Sequence, residues 1–415
     1  MTPQARIAAA ISILDQLSVE STPVDRALKS WARSNRYAGS KDRRAIAAHI
    51  YHAIRHAHQA ASLMATTVYD GRALMLGSLV LDDMEAADIS ALFDGGKFGP
   101  EPLSARELEV LEQGRTSDLL TGLPEEIGAA LTVRAAGEEH AAIGALLDRA
   151  PLDIRVNTLS GKSDKALSLL EEGGLKGTAI SGLPNAYRFE DAPRLKDSEA
   201  YKSGLVEIQD AGSQIASSLI PAKTGETVVD YCAGGGGKSL AIAALLGGKG
   251  QVFAHDIAPK RLESLARRAD RAKARNIQIF DDAEKLTTQI AQMKGADHVV
   301  LDVPCSGSGA WRRNPETLWR FTDERLAELS GLQCSILQDA APLVKAGGTL
   351  TYITCSFLPR ENEQAIEWFL AENKDFAVEP LDGERPAGLI PGTVQLMPHL
   401  TQTDGFFIAR LRRAC

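Results

Sequence analysis

From Thr227 onward the sequence changes five times from a short apolar run to a helical stretch, and this alternation constrains the fold more than any other feature. The strand-like runs are Thr227 to Tyr231, Gln251 to Asp256, Ile277 to Phe280, His298 to Asp302 and Thr349 to Thr354. Helical stretches follow them, beginning near Lys238, Ala258, Ala283, Thr322 and Glu361. Five alternations call for a parallel sheet with helices on both faces, an α/β doubly wound, Rossmann-like fold. Thr393 to Leu411 reads as a hairpin with Gly405 in or near its turn, which would append an antiparallel edge pair to that sheet.

Upstream the texture differs. Residues 1–145 are Ala- and Leu-rich at three- and four-residue spacing and predict an all-helical N-terminal domain. Residues 146–220 predict a small α+β connector. It has a strand at Asp153 to Asn157, a helix from Asp164 to Glu172 stopped by Gly173-Gly174, and short strands around Thr178 and Tyr187. Residues 221–415 then form the third domain. With 415 residues, 44% hydrophobic and 24% charged, the chain can bury more than one core and reads as soluble. No stretch approaches the roughly 20 apolar residues of a membrane span. The apolar run Ile7 to Leu14 is short and suits an amphipathic helix, so a cytoplasmic monomer is expected, with no membrane partner.

The five cysteines, at 232, 305, 334, 355 and 415, have no CxxC spacing and are odd in number, which indicates neither a zinc site nor a disulfide framework. His52 and His56 share a helix face, but no Cys, Asp or Glu nearby completes a ligand set, and no metal is expected. The net charge of −8 conceals a basic segment: Arg26 to Arg55 holds eight Lys/Arg against the single acid Asp42. Such a patch suits RNA phosphates, although a solvated helix face would read the same way.

Cys232, Ala233, Gly234, Gly235, Gly236, Gly237 and Lys238 close the first strand of the alternating region and open its helix. Consecutive glycines let the backbone approach a ligand and leave helix N-terminal N–H groups free to donate. Asp256 ends the next strand 22 residues after Gly234, where a carboxylate can take both hydroxyls of a ribose. Asp282, or Asp281 beside it, ends the third strand near an adenine edge. A phosphate-binding loop of the GxxxxGK[ST] type is not met, because position 233 is Ala. A nucleoside without phosphates, such as S-adenosylmethionine, suits this acid-rich set better than a dinucleotide.

Two further strand ends carry thiols: Asp302-Val-Pro-Cys305-Ser-Gly-Ser-Gly309 and Thr354-Cys355-Ser356. In a doubly wound sheet both fall on the carboxyl edge beside the cofactor loop. A single cysteine there is most simply a buried apolar residue. Two in equivalent places, each followed by Ser, point to chemistry. Carbon 5 of cytosine is a poor nucleophile until a thiolate adds to carbon 6 and turns the ring into an enamine. One cysteine can attack, a second can assist release, and Asp302 can hydrogen-bond the ring as charge develops. Spacing leaves the two roles interchangeable.

These motifs resemble the Sun/Fmu (RsmB-like) family of RNA cytosine-5 methyltransferases. Arg312 to Trp319, Gly347 to Ser356 with Glu361-Asn362, and Gln209 to Gln214 match as well, so the likeness runs from about 150 to 415. The resemblance implies a methyltransferase domain that forms 5-methylcytosine in RNA, 16S ribosomal RNA in particular, with S-adenosylmethionine as cofactor. It implies cofactor binding by residues 232–238, Asp256, Asp282 and Asp302, with Cys355 the nucleophile and Cys305 the release residue. The helical domain is similar to the family's NusB-like RNA-binding domain in texture and in Ser40 to Arg44. One departure is the loop, where Gly234-Gly235 replaces the family's Ala-Pro. Three rival readings are a DNA cytosine methyltransferase, which needs only the Pro-Cys thiol, a non-catalytic RNA-binding scaffold, and an amino-group methyltransferase, which needs no thiol.

Overall fold

In a computed structural model, which describes residues 1–19, 22–113, 118–190, 193–381 and 389–415, the chain divides into two compact units. The first is Met1–Asp148 together with Trp311–Thr322. Nine helices run from Pro3–Val19 to Glu139–Leu147 among its described residues up to 148, and no strand is found there. Local chemistry starts several of them: the Asp70 carboxylate accepts from the Ala73 N–H, and Ser104 and Glu107 form a reciprocal capping box. Ile7, Leu14, Ile46, Ile50 and Leu74 are wholly buried in its core.

The short segment Trp311–Thr322 is the unexpected member of this unit. Trp319 is 7% exposed and packs against the helical core, with its ring edge-on to Tyr69 at 6.5 Å. Backbone groups of the segment are gripped as well. Arg55 donates to the Arg312 carbonyl at 3.1 Å, and the Arg320 guanidinium donates to the Thr22 carbonyl at 2.9 Å. Chain order would put these residues with the sheet domain. The long-range packing of one indole puts them with the helices.

The second unit, Arg149–Ala310 with Asp323–Cys415, holds two sheets. The smaller contains β1 (Leu152–Val156), β2 (Thr178–Ala179), β3 (Ala186–Phe189) and β4 (Val206–Ile208) in the antiparallel order β2-β3-β1-β4. Here β1, β2 and β3 match expectation, and β4 is additional.

The larger sheet contains the five predicted strands, β5 (Thr227–Asp230), β6 (Gln251–His255), β7 (Ile277–Phe280), β8 (Ala296–Asp302) and β9 (Val344–Thr354), paired in parallel in the order β9-β8-β5-β6-β7. Three antiparallel strands, β10 (Phe376–Val378), β11 (Val394–Leu396) and β12 (Phe406–Arg413), complete it. β12 pairs with β9 on one side, and β11 and β10 share its other edge. The hairpin is therefore present, and β10 is an addition too short for its sequence to signal. The chain proceeds from β5 to opposite sides, with β6 and β7 one way and β8 and β9 the other. A crevice opens at such a reversal, at the carboxyl ends of β5 and β8.

Removing the Trp319 indole empties a core site, which typically costs about 3 kcal/mol. W319A should lower the unfolding free energy of the helical unit by about that much in urea denaturation followed by far-ultraviolet circular dichroism. A loss below about 1 kcal/mol would show that the indole is not part of that core.

Candidate active site

The crevice is assembled from four strand ends. At the end of β5, Asp230 is fully buried and accepts from the Ser239 hydroxyl at 2.6 Å. The chain then turns through the glycines into the helix Gly237–Leu245. Gly236 must be glycine twice over: its φ is +83°, and an added Cβ would lie 2.6 Å from Leu265 Cγ. On the first turn of that helix, Lys238 reaches across to β8, where its ammonium donates to Asp302 Oδ2 at 2.6 Å. The same ammonium lies 5.1 Å from the centre of the Phe406 ring.

Asp256, just beyond β6, spreads its carboxylate over two backbone amides, Gly234 N–H at 2.9 Å and Ala258 N–H at 2.8 Å. It thereby pins the glycine loop while each oxygen keeps a lone pair for a ligand. Asp282 behaves differently. It caps the helix Ala283–Gln292, accepting from the Glu284 and Lys285 amides at 2.8 and 3.3 Å, and Lys285 stands 3.6 Å from it. Its position at the end of β7 is as predicted, but its carboxylate is turned to its own helix. Those amides hold its pKa below the ordinary carboxylate range.

The two sulfurs predicted to converge do so: Cys305 Sγ and Cys355 Sγ are 3.4 Å apart. Backbone approach makes this possible. Gly309 N–H donates to the Cys355 carbonyl at 3.0 Å, and Gly405 N–H donates to the Gly309 carbonyl at 2.7 Å. A Cβ on Gly309 would sit 2.3 Å from the Gly405 carbonyl oxygen, so Gly309 is required by contact. The serine following each cysteine is structural. Ser306 Oγ donates to the Glu361 carboxylate at 2.6 Å, and Ser356 Oγ meets the Ser308 hydroxyl at 2.9 Å and accepts from Leu358 N–H at 3.0 Å.

Beneath the loops lies Glu361, wholly buried. Its carboxylate accepts from Ser306 N–H at 2.7 Å, Ser306 Oγ at 2.6 Å and Gln333 Nε2 at 3.1 Å. Gln333 also donates to the Pro304 carbonyl at 2.9 Å, so both sides of Cys305 are held. Asn362 does the same for the other loop, bonding Thr354 Oγ1 and the Ser356 carbonyl at 2.6 and 3.0 Å. Glu361-Asn362 was visible in the sequence as a motif match, without any sign of what the pair holds.

The thiols are not equivalent. The hydrogen bond with Cys355 and burial push the Cys305 thiol well above its ordinary value. Burial, and then the carboxylates of Asp230, Asp302 and Asp256, push Cys232 up, so this loop cysteine stays a neutral thiol. Cys334 is raised by burial, and Cys415 is exposed. Asp230 is raised by burial to about 7, and its Oδ1 has no hydrogen-bond partner.

Residues 217–412 match the family model described as 16S rRNA methyltransferase RsmB/F. Over 268 residues the chain is 37% identical to the "Probable ribosomal RNA small subunit methyltransferase B" of Synechocystis sp., an overlap covering 63% of this chain and 60% of that protein. The chain thus spans about three fifths of the length of the curated relatives it matches. Among solved structures, a methyltransferase homolog protein from Pyrococcus horikoshii is 26% identical, with a TM-score of 0.61 over 70% of this chain and 96% of that one. An NSun6 of Pyrococcus horikoshii, crystallised with SFG, is 21% identical and shares the fold at a TM-score of 0.63 over 71% of this chain and 99% of its own.

The raised carboxyl of Asp230 has a consequence for stability. In the unfolded chain it loses its proton near pH 4, whereas in the fold it keeps the proton up to about 7. The native state binds more protons across that window, so this group makes stability fall as pH rises and level off above it. D230N should therefore gain stability relative to the parent from pH 4.5 to about 7 and no further. Urea unfolding at stepped pH reads this, and a difference independent of pH would reject it.

Proposed function

We propose that the chain, whose residues 217–412 match the RsmB/F methyltransferase model, is a member of that family and methylates carbon 5 of a cytosine in 16S ribosomal RNA. The observation that carries the reading is the 3.4 Å approach of Cys305 and Cys355 beside the Lys238–Asp302 pair. An amino-group methyltransferase has no use for two thiols. A DNA cytosine enzyme has use for the Pro-Cys one alone.

The donor set suits S-adenosylmethionine. Asp256 and Asp302 stand at the carboxyl ends of β6 and β8, an acidic pair that suits a cationic nucleoside better than phosphates, and Asp230 nearby has a buried oxygen without a hydrogen-bond partner. Residues 232–238 with Asp256, Asp282 and Asp302 would hold it. When bound, it supplies an electrophilic methyl group on a sulfonium. Asp282 would need to serve the adenine edge from its capping position.

The resemblance gives the attack to Cys355 and the release to Cys305. Cys355 adds its sulfur to cytosine carbon 6 as its thiol proton passes to ring N3, which makes carbon 5 an enamine carbon able to take the methyl group. Asp302, anchored by Lys238, accepts hydrogen bonds from the ring N3–H and exocyclic amine as positive charge develops there. The carbon 5 proton then passes to solvent water, its C–H electron pair re-forms the carbon 5–carbon 6 double bond, and the carbon 6–sulfur bond breaks with its electron pair returning to Cys355. Cys305 keeps its proton and lies against that sulfur, so its S–H can donate to the departing thiolate.

RNA would be held by the helical domain, the NusB-like part of the chain. Lys29, Arg33, Arg36, Lys41, Arg43 and Arg44 are all exposed, and Asp42, the acid among them, is occupied by Arg6 at 2.8 Å. Among the described residues no helix is long and apolar enough to cross a membrane. A cytoplasmic monomer acting on RNA fits this chain.

The test is covalent trapping. With RNA and S-adenosylmethionine, C305A should accumulate a protein–RNA adduct on denaturing gels, and C355A should give none. The reverse pattern would exchange the two roles, and an adduct with neither would remove the mechanism. Bisulfite sequencing of total RNA with and without the protein should show one cytosine that loses its protection. Separately, reversing three of the six cations should weaken RNA binding at low salt and lower the slope of log K against log salt by roughly two to three. An unchanged slope would take the RNA site away from this segment.

A further inference from the structure

Four consecutive glycines give residues 234–237 more backbone freedom than the rest of the crevice, and a loop that binds a ligand tightly must already be held still. Two of the four are dictated by backbone: Gly234 and Gly236 have φ of +55° and +83°. Gly235 is not. Its φ lies outside the left-handed region, and an added Cβ would meet only Arg268 Nη1 at 3.5 Å and Ser264 Oγ at 3.9 Å, ordinary contacts. Neither space nor conformation requires glycine there, so its freedom has to be removed from outside.

Two side chains do so. Arg268, on the helix Pro259–Ala272, donates from Nη1 to the Gly235 carbonyl at 2.6 Å. Gln209, one residue beyond β4, donates from Nε2 to the Gly237 carbonyl at 3.3 Å. Both trace back to the small sheet. Glu207 of β4 is 2% exposed and accepts from Arg268 Nε at 3.2 Å and Nη2 at 3.1 Å, and its other oxygen is taken by Arg271. Arg155 of β1 donates to Gln209 Oε1 at 2.8 Å, which turns the Gln209 amide nitrogen towards the loop. A buried carboxylate between two guanidiniums orients both forks, unlike an exposed pair that would fix little.

We propose that Arg268 is a positioning residue for the cofactor: oriented by Glu207, and with Gln209 beside it, it fixes Gly234–Gly237 in the conformation that binds. The small sheet then has a duty beyond connecting domains, which is to stiffen a loop whose own side chains cannot. This inference rests on the reading of that loop as the S-adenosylmethionine site.

The full-length protein tests it. R268A should bind S-adenosylmethionine about tenfold more weakly in calorimetry, as expected for one lost charge-assisted hydrogen bond plus a loosened loop. In turnover the loss should fall on KM for the cofactor and leave kcat in place. Amides 234–237 should exchange with deuterium faster without any ligand present. Adding G235A to R268A removes backbone freedom directly and should recover about two- to fivefold in affinity. A purely structural role for Arg268 would show no such recovery. E207Q, which leaves Arg268 but weakens its anchor, should fall between the parent and R268A, and it carries the test should R268A not fold. Parental affinity and exchange in R268A, or no rescue by G235A, would overturn the proposal. If the parent itself binds no S-adenosylmethionine, the cofactor reading falls, and the exchange rates still decide whether the loop is clamped.

Discussion

Burying a carboxylate away from cations is expensive, and it is tolerated only where several donors converge on it. Glu361 is such a carboxylate, and the sulfur pair depends on it. Its oxygens gather the Ser306 amide, the Ser306 hydroxyl and the Gln333 amide. The loop after β8 is thereby drawn onto the loop after β9, because Glu361 follows β9 and Ser306 follows β8. Between the two lies the 3.4 Å sulfur contact. Without that anchor, the segment between Pro304 and Ser308 would lose the bonds made by Ser306 on both its amide and its hydroxyl.

The same device recurs on the cofactor side at lower cost. Asp256 bonds Gly234 N–H, Arg268 holds the Gly235 carbonyl, and Gln209 holds the Gly237 carbonyl. Each of these partners lies outside the loop and belongs to an element fixed by its own packing. Chain that must be glycine to let a ligand approach cannot stiffen itself, so order is brought in from neighbouring strands and helices.

This explains which parts of the molecule could be read from sequence. Five strands were legible because apolar runs alternating with helical stretches are a local signal, and the convergence of Asp302, Cys305 and Cys355 followed from the topology those strands imply. Lys238 on Asp302 was not legible: the pair is 64 residues apart, and no period connects them. Glu207 with Arg268, 61 apart, is a case of the same kind. The placement of Trp311–Thr322 was hidden for another reason. It depends on which core accepts one indole, a choice that composition does not record. Asp282 marks the limit of strand-end reasoning, since a position at the right edge does not say whether a carboxylate faces a ligand or caps its own helix.

Which thiol attacks is left open by spacing, and the assignment of Cys355 as nucleophile comes from the family resemblance. Its hydrogen bond with Cys355 and its burial raise the Cys305 thiol, and the carboxylate of Glu361, to which its loop is fastened, adds to the rise. A nucleophile in the proposed reaction must give up its proton, and a partner for the leaving sulfur must have one to share. Glu361 therefore has two effects through one placement. It positions Cys305 by hydrogen bonds to Ser306, and it adds to the rise that the Cys355 hydrogen bond and burial produce, a direction that suits the release role proposed for Cys305. Beneath Cys355 the loop is held instead by the neutral amide of Asn362, so the two sulfurs meet different surroundings on their far sides.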